Sequence, residues 1–187
     1  TALRVSFVGE LGWELHVDDA DLVALYTAIQ EVGSDLGLRD FGSYALNSMR
    51  VEKGYHGWGS EFGTEYTVFD AGLERFVAFD KPDFIGRDAV LRQREHPSDW
   101  VFTGLEVDSP DADPLGNDPI MAGDEVAGFV SSAGMGFRIG RRIALGFLRR
   151  AFADTHDDLA IEVFGRRCPA RRVPLPFYDP DNARLKA

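Results

Sequence analysis

The pattern of apolar residues changes character once along this chain, at Glu95-His96-Pro97-Ser98-Asp99. Beyond that segment, residues 100–107, 125–131, 143–148, 159–164 and 171–175 read as short strands separated by clusters of Gly, Pro and Asp. Helical spacing nearly disappears there. Short strands divided by turn residues bury their apolar side chains only against one another, which predicts a small antiparallel barrel or sandwich. Pro174, Pro176 and Pro180 predict an extended tail. Before the change, strand-like and helix-like segments alternate, so the expected class is α+β, with one unit at 1–95 and a second at 96–187.

In the first unit, residues 2–8 and 13–17 read as strands joined by a turn at Glu10–Gly12, a β-hairpin. Asp18 or Asp19 is placed to cap a helix whose Leu22, Leu25, Tyr26, Ile29 and Val32 fall on one face, and Gly33 is placed to close it. That face is expected to lie back on the sheet. A shorter helix is predicted over 44–53, with Ser43 as N-cap and Gly54 as terminator. Four glycines and three aromatics follow between Gly54 and Gly63, an irregular stretch that approaches something closely. A Pro82 turn then leads into a helix containing Ala89, Val90 and Leu91.

Composition narrows the function classes. Of 187 residues 44% are hydrophobic, and 14 Phe with 3 Trp give ample material for a core. No apolar run reaches the ~18 residues that a membrane helix needs, so no membrane partner is expected. The start, Thr1-Ala2-Leu3-Arg4-Val5, does not read as a signal peptide and enters a strand pattern at once, as a piece of a longer chain would. The lone Cys168 forms no internal disulfide and fits a reducing compartment; cytoplasmic localisation is the expectation. His16, His56, His96 and His156 are too far apart for metal-ligand spacing.

A net charge of −11 argues against nucleic acid. Residues 138–172, however, hold nine Arg and four acids, so an anionic ligand would prefer that region; solvated faces and ion pairs are the plainer reading of the same arginines. The glycines of 134–140 lack the G-x-G-x-x-G spacing and sit among strands, which excludes a dinucleotide or phosphate loop.

The segment richest in chemistry is Ser6-Phe7-Val8-Gly9-Glu10-Leu11-Gly12-Trp13-Glu14. A hairpin here sets a ring, Phe7, and a carboxylate, Glu14, on facing strand ends. The ring offers a stacking face to a flat heterocycle, and the carboxylate accepts two adjacent N–H donors. Trp13 adjoins them, and Tyr55 and Trp58 of the Gly-rich stretch either wall a pocket or fill the core. Glu10 is read as shaping the turn.

These residues resemble the "YTGE-x-G-aromatic-E" signature of the glycine cleavage T-protein. They are more similar still to the folate-binding part of dimethylglycine and sarcosine dehydrogenases. Tyr44-Ala45-Leu46-Asn47-Ser48-Met49-Arg50-Val51-Glu52-Lys53-Gly54-Tyr55 nearly reproduces a helix of that branch. Asp83-Phe84-Ile85-Gly86-Arg87, Gly123-Asp124-Glu125-Val126-Ala127-Gly128 and Ile143-Ala144-Leu145-Gly146-Phe147 extend the likeness over nearly the whole chain.

The resemblance implies part of a T-protein-like folate-binding α/β domain followed by the family's small antiparallel β-barrel. It implies tetrahydrofolate as cofactor, with Glu14 pairing with the pterin and Phe7, Trp13, Tyr55 and Trp58 around it. FAD belongs to a flavin domain upstream in the same polypeptide, and a one-carbon unit passes from an iminium to tetrahydrofolate. The resemblance places the flavin domain and the family's key Asp upstream, so this chain alone is expected to lack dehydrogenase activity, and to bind folate weakly because half of the pocket is missing.

Two departures stand out. Phe7 replaces a Tyr, and Leu46 aligns with an Arg that T-proteins use against folate. Arg50 and Glu52 match the shared R-x-E, and one or both are read as structural ion-pair formers. The alternatives are a truncated T-protein aminomethyltransferase and a non-catalytic folate-binding module.

Overall fold

A computed structural model describes residues 1–154 and 158–187; His156 lies outside the described residues. The barrel dominates it. Six antiparallel strands close in the order β3-β6-β5-β4-β7-β8: β3 Trp100–Val107, β4 Pro119–Ala122, β5 Glu125–Gly136, β6 Arg141–Arg149, β7 Leu159–Val163 and β8 Arg166–Val173. Five of the six were legible as strands. The sixth, β4, is only four residues long and begins with a proline, too short to show alternation. β5 runs on to Gly136, so the 134–136 glycines are strand and turn.

The barrel interior is filled by Leu105, Ile120, Ala127, Val130, Ala144, Leu148, Ile161 and Val163. A second, outer cluster joins Val51 to Ile143 and Leu145, with Phe102, Ile139, Leu175 and Phe177 packed around them. β6 therefore feeds both: Ala144 and Leu148 point in, while Ile143 and Leu145 are covered from outside. A strand buried on two faces reads as a continuous apolar run, as residues 143–148 do. β5 and β6 approach very closely. A Cβ on Gly128 would lie 2.0 Å from the Phe147 carbonyl oxygen, and one on Gly146 would lie 2.5 Å from that of Phe129. Both glycines stand in the recognisable barrel motifs for this reason.

The first unit holds β1 Ala2–Leu3, β2 Glu14–Leu15, α1 Asp19–Gly33, α2 Ser43–Glu52 and α3 Arg87–Glu95. The hairpin strands are shorter than expected. The ladder runs from Thr1 and His16 to Leu3 and Glu14, and residues 4–13 leave it as a loop. Helix starts need correction too. Asp18 stands at the α1 N-cap with no side-chain capping bond, and Gly42, not Ser43, holds that position at α2. Gly33 does not end α1 by a left-handed turn; it lets Leu38 fold back, a Cβ there meeting Leu38 at 2.6 Å, and Gly37 takes the positive φ.

The apolar face of α1 does not lie on a sheet. Leu22, Val23, Tyr26 and Val32 are all exposed, and so are Leu3, Val5, Leu15 and Val17 of the hairpin.

The β5–β6 contact gives a first prediction. Gly128→Ala forces backbone apart and is expected to destabilise by about 3 kcal/mol. Gly134→Ala, with open space at its Cβ, is expected to stay within about 0.5 kcal/mol. Denaturant titration of both variants checks this; equal effects would refute the close-packing account.

Candidate functional site

α2 is the element on which the site is assembled, and its last turn works through four polar side chains. Arg50 is buried and makes four hydrogen bonds. Nε donates to Asn47 Oδ1 at 3.0 Å, Nη1 to the Tyr55 carbonyl at 3.1 Å and to Glu61 Oε2 at 2.9 Å, and Nη2 to Ser132 Oγ at 2.6 Å. Glu61, fully buried, also accepts from the Gly57 N–H at 2.7 Å and the Ser131 hydroxyl at 2.7 Å. One ion pair thus ties α2, the Gly-rich segment and β5 together. Ser48 adds a bond to the Met135 carbonyl at 2.6 Å.

Two residues on, Glu52 Oε1 accepts the N–H groups of Arg138 and Ile139 at 2.8 and 3.3 Å, holding the β5–β6 turn. Lys53 donates from Nζ to the Asp179 carbonyl at 2.5 Å and to its carboxylate at 3.2 Å, holding the tail. The structural reading of Arg50 holds, as an ion pair with Glu61; Glu52 instead accepts backbone N–H groups.

The signature loop rests on this platform. Gly9 has φ 71° and packs on the Lys53 stem, where a Cβ would meet Cδ and Cγ at 2.7 Å. Glu10 pairs with Arg138, whose guanidinium also lies 4.7 Å from the Tyr178 ring centroid. Glu10 therefore anchors the loop to the barrel and does not merely shape a turn.

Phe7 is drawn the same way. Its ring stacks on Tyr55 at 6.5 Å between centroids and 25° between planes. The expected tight turn, with Phe7 on a strand end facing Glu14, is thereby replaced by a loop bent onto α2. Trp13 is 59% exposed, and Glu14 stands exposed with His16 Nε2 at 3.2 Å. Trp58 is 74% exposed and meets Phe62 edge-on at 5.4 Å, beside a hollow of about 240 Å³. The structure thus joins Phe7 to Tyr55 and leaves Trp13 and Glu14 open on β2 and its approach. It places Trp58 in a separate aromatic pair.

Sequence reasoning missed Glu61, Arg138 and Asp179. Their partners lie 11 to 128 residues away, and no local spacing marks them. Six of the nine arginines of 138–172 are held in ion pairs with carboxylates, which favours the plainer reading of that region.

Two family models match the chain: the GCVT N-terminal domain over residues 1–81 and the glycine cleavage T-protein C-terminal barrel domain over residues 101–179. The chain belongs to the glycine cleavage T-protein family. It is 35% identical to mouse (Mus musculus) mitochondrial dimethylglycine dehydrogenase over 189 residues, which is 100% of this chain and 22% of that protein. It is 34% identical to the formaldehyde-forming 4-methylaminobutanoate oxidase of Paenarthrobacter nicotinovorans, over 99% of this chain and 22% of that one. The fold is that of the glycine cleavage system aminomethyltransferase T from Bartonella henselae, with a TM-score of 0.82 at 22% identity, covering 94% of this chain and 49% of that structure. The T-protein-like chain therefore spans about a fifth of its two dehydrogenase and oxidase relatives.

His56 adds a pH-sensitive element to the Gly-rich segment. Its ring packs 4.4 Å from that of Phe102, with Nε2 2.7 Å from the Ala71 carbonyl. Burial pushes its proton affinity below the ordinary imidazole range, against the opposite pull of that carbonyl and of Glu61. The folded protein thus binds this proton more weakly than the unfolded chain. The stability involved is present above pH ~6.5 and lost as pH falls through the lowered value. Thermal unfolding between pH 7 and pH 5 is expected to lose more midpoint in the wild type than in His56→Gln; parallel curves would remove His56 from the account.

The clamp gives a second expectation. Arg50→Met leaves the Glu61 charge buried and unpaired and is expected to cost about 3–5 kcal/mol. The Arg50→Met, Glu61→Met double variant should lose much less than the two single changes summed, as measured by denaturant unfolding.

Proposed function

We propose that this chain is the tetrahydrofolate-binding region of a flavin-dependent N-methylglycine dehydrogenase, dimethylglycine or sarcosine being the substrate of the whole polypeptide. The observation that carries the reading is the state of Glu14. Its carboxylate is exposed next to Trp13, and its ionic partner is the equally exposed His16. A carboxylate left available in this way suits a two-point contact with the amino group and adjacent N–H of a pterin. The stacked Phe7 and Tyr55 rings provide a flat apolar neighbour for the heterocycle.

In this reading an upstream flavin domain oxidises the N-methyl amine to an iminium. Tetrahydrofolate captures the methylene carbon, and the demethylated amine and one proton are released. The residues of this chain bind and orient the folate; the electrophile is already made, so positioning supplies the rate. The uncovered apolar faces of α1 and the hairpin support a place within a longer polypeptide, whose remaining residues bury them.

A second reading has an observation of its own. Leu46 stands where the family resemblance places a folate-contacting Arg, and one 34% identical relative carries the name of a formaldehyde-forming oxidase. In this second reading the iminium is hydrolysed to formaldehyde and the demethylated amine, and this chain serves as scaffold.

Calorimetric titration with 5-formyltetrahydrofolate separates the two, on this chain and on the full polypeptide that carries it. The folate reading expects saturable binding in the full polypeptide, weakened about 10- to 100-fold by Glu14→Gln, the loss of one charge-assisted contact. No binding to the full polypeptide would favour the scaffold.

A further inference from the structure

The outer face of the barrel carries a cleft of about 820 Å³ that the folate reading does not use. None of Phe7, Trp13, Glu14, Tyr55 or Trp58 lines it. Across it runs a row of three charged side chains on three adjacent strands. Arg141 of β6 donates to Glu106 Oε2 of β3 at 2.6 Å, and Arg171 of β8 donates to the same oxygen at 2.5 Å. The register places Glu106 directly opposite Arg171.

Within this cluster one carboxylate faces two guanidinium groups, so the cluster itself carries a surplus of positive charge. Each guanidinium has five N–H donors, and Glu106 occupies one on each. Both arginines are 56% exposed while Glu106 is 20% exposed, so the shared carboxylate lies beneath and holds the pair in place. A group already held loses little rotamer freedom when it binds.

The remaining lining defines the ligand further. Ala160 and Pro169, cross-strand partners on the outer face, supply apolar wall. Arg142 and Arg167 are held by Asp113 and Asp124, at 2.8 and 3.0 Å. Asp108 and Asp158 also line the cleft and make its wider lining acidic, which restricts an anion to one negative charge held at the Arg141–Arg171 cluster itself. The volume falls in the range of small-molecule pockets, about 300–1,000 Å³.

We propose that this cleft binds a small organic oxyanion. A single carboxylate or phosphate group bridges Arg141 and Arg171, and an apolar body lies over Ala160 and Pro169. The site is independent of the folate reading and stands or falls without it.

The test follows the arginine side-chain Nε–Hε signals of the whole chain by NMR during titration with benzoate, phenyl phosphate and inorganic phosphate. The expected result is saturable movement of the Arg141 and Arg171 signals with at least one aromatic anion, at a concentration at least about tenfold below that needed with inorganic phosphate. Whichever aromatic anion binds more tightly identifies the head group. Arg149, which does not line the cleft, is the internal reference. The backbone amide signals of Ala160 and Ala170, which line the cleft, should move with those of the two arginines in the wild type and stay still in the Arg141→Gln, Arg171→Gln double variant, whose overall backbone spectrum is retained. Shifts that fail to saturate, that are equal at Arg149, or that show no advantage of the aromatic anions over inorganic phosphate would overturn the proposal. The comparison with Arg149 needs no variant and decides the matter even if the double substitution unfolds the barrel.

Discussion

The buried pair of Arg50 and Glu61 is the interaction on which the rest of this structure depends. Two charges taken out of water are expensive unless every donor and lone pair finds a partner. Here the guanidinium reaches four acceptors besides itself fixing the helix end: a side-chain amide, a carbonyl, the carboxylate and a hydroxyl. The carboxylate accepts from a backbone N–H and a second hydroxyl in turn. Such a network has no cheap half-made form. It therefore fixes α2, the Gly57–Glu61 turn and β5 in one arrangement, and a Cβ at Gly57 would press on the carboxylate at 3.2 Å.

Everything at the candidate site follows from that fixed helix end. Because α2 cannot slide on the barrel, Glu52 meets the β5–β6 turn and Lys53 meets the tail at Asp179. The Lys53 stem then becomes the surface on which Gly9 rests, and the turn held by Glu52 presents Arg138 to Glu10. The loop bearing Phe7 is thus positioned at second hand, by groups whose own partners are buried. Phe7 meets Tyr55 because Tyr55 directly follows the helix terminator Gly54, which has φ 65°.

The barrel was largely legible because its information is local. The 143–148 run is apolar throughout since β6 is buried on both faces, and the turn glycines lie where the strands end. β4 escaped because four residues carry no period. The α1 helix was legible for the same reason as the barrel, from Leu22 to Val32, but the burial of its face was not: amphipathicity announces that a face wants cover without saying what covers it. The signature loop was misread in shape. A strand-turn-strand pattern described residues 2–17 well, yet Gly9 against Lys53 and Glu10 against Arg138 outweigh the few ladder bonds that a longer hairpin would gain. Those contacts span 44 and 128 residues, beyond any reading of spacing.

The two halves of the chain differ in how their apolar surface is spent, and this bears on what a ligand would feel. Beneath the signature loop the packing is complete, down to Val51, Ile143 and Leu145. Beyond it, Trp13, Leu15 and the Leu22–Val32 face stand in water. A flat ligand set between Glu14 and the Phe7–Tyr55 stack would be oriented by one rigid wall and left open on the other side. At about 25 cal/mol per Å² of apolar area removed from water, an absent wall forfeits much of the affinity while leaving the directional contact intact. In the proposed folate site orientation and affinity would thus be separable: the α2 clamp would secure the first, and whatever covers α1 would govern the second.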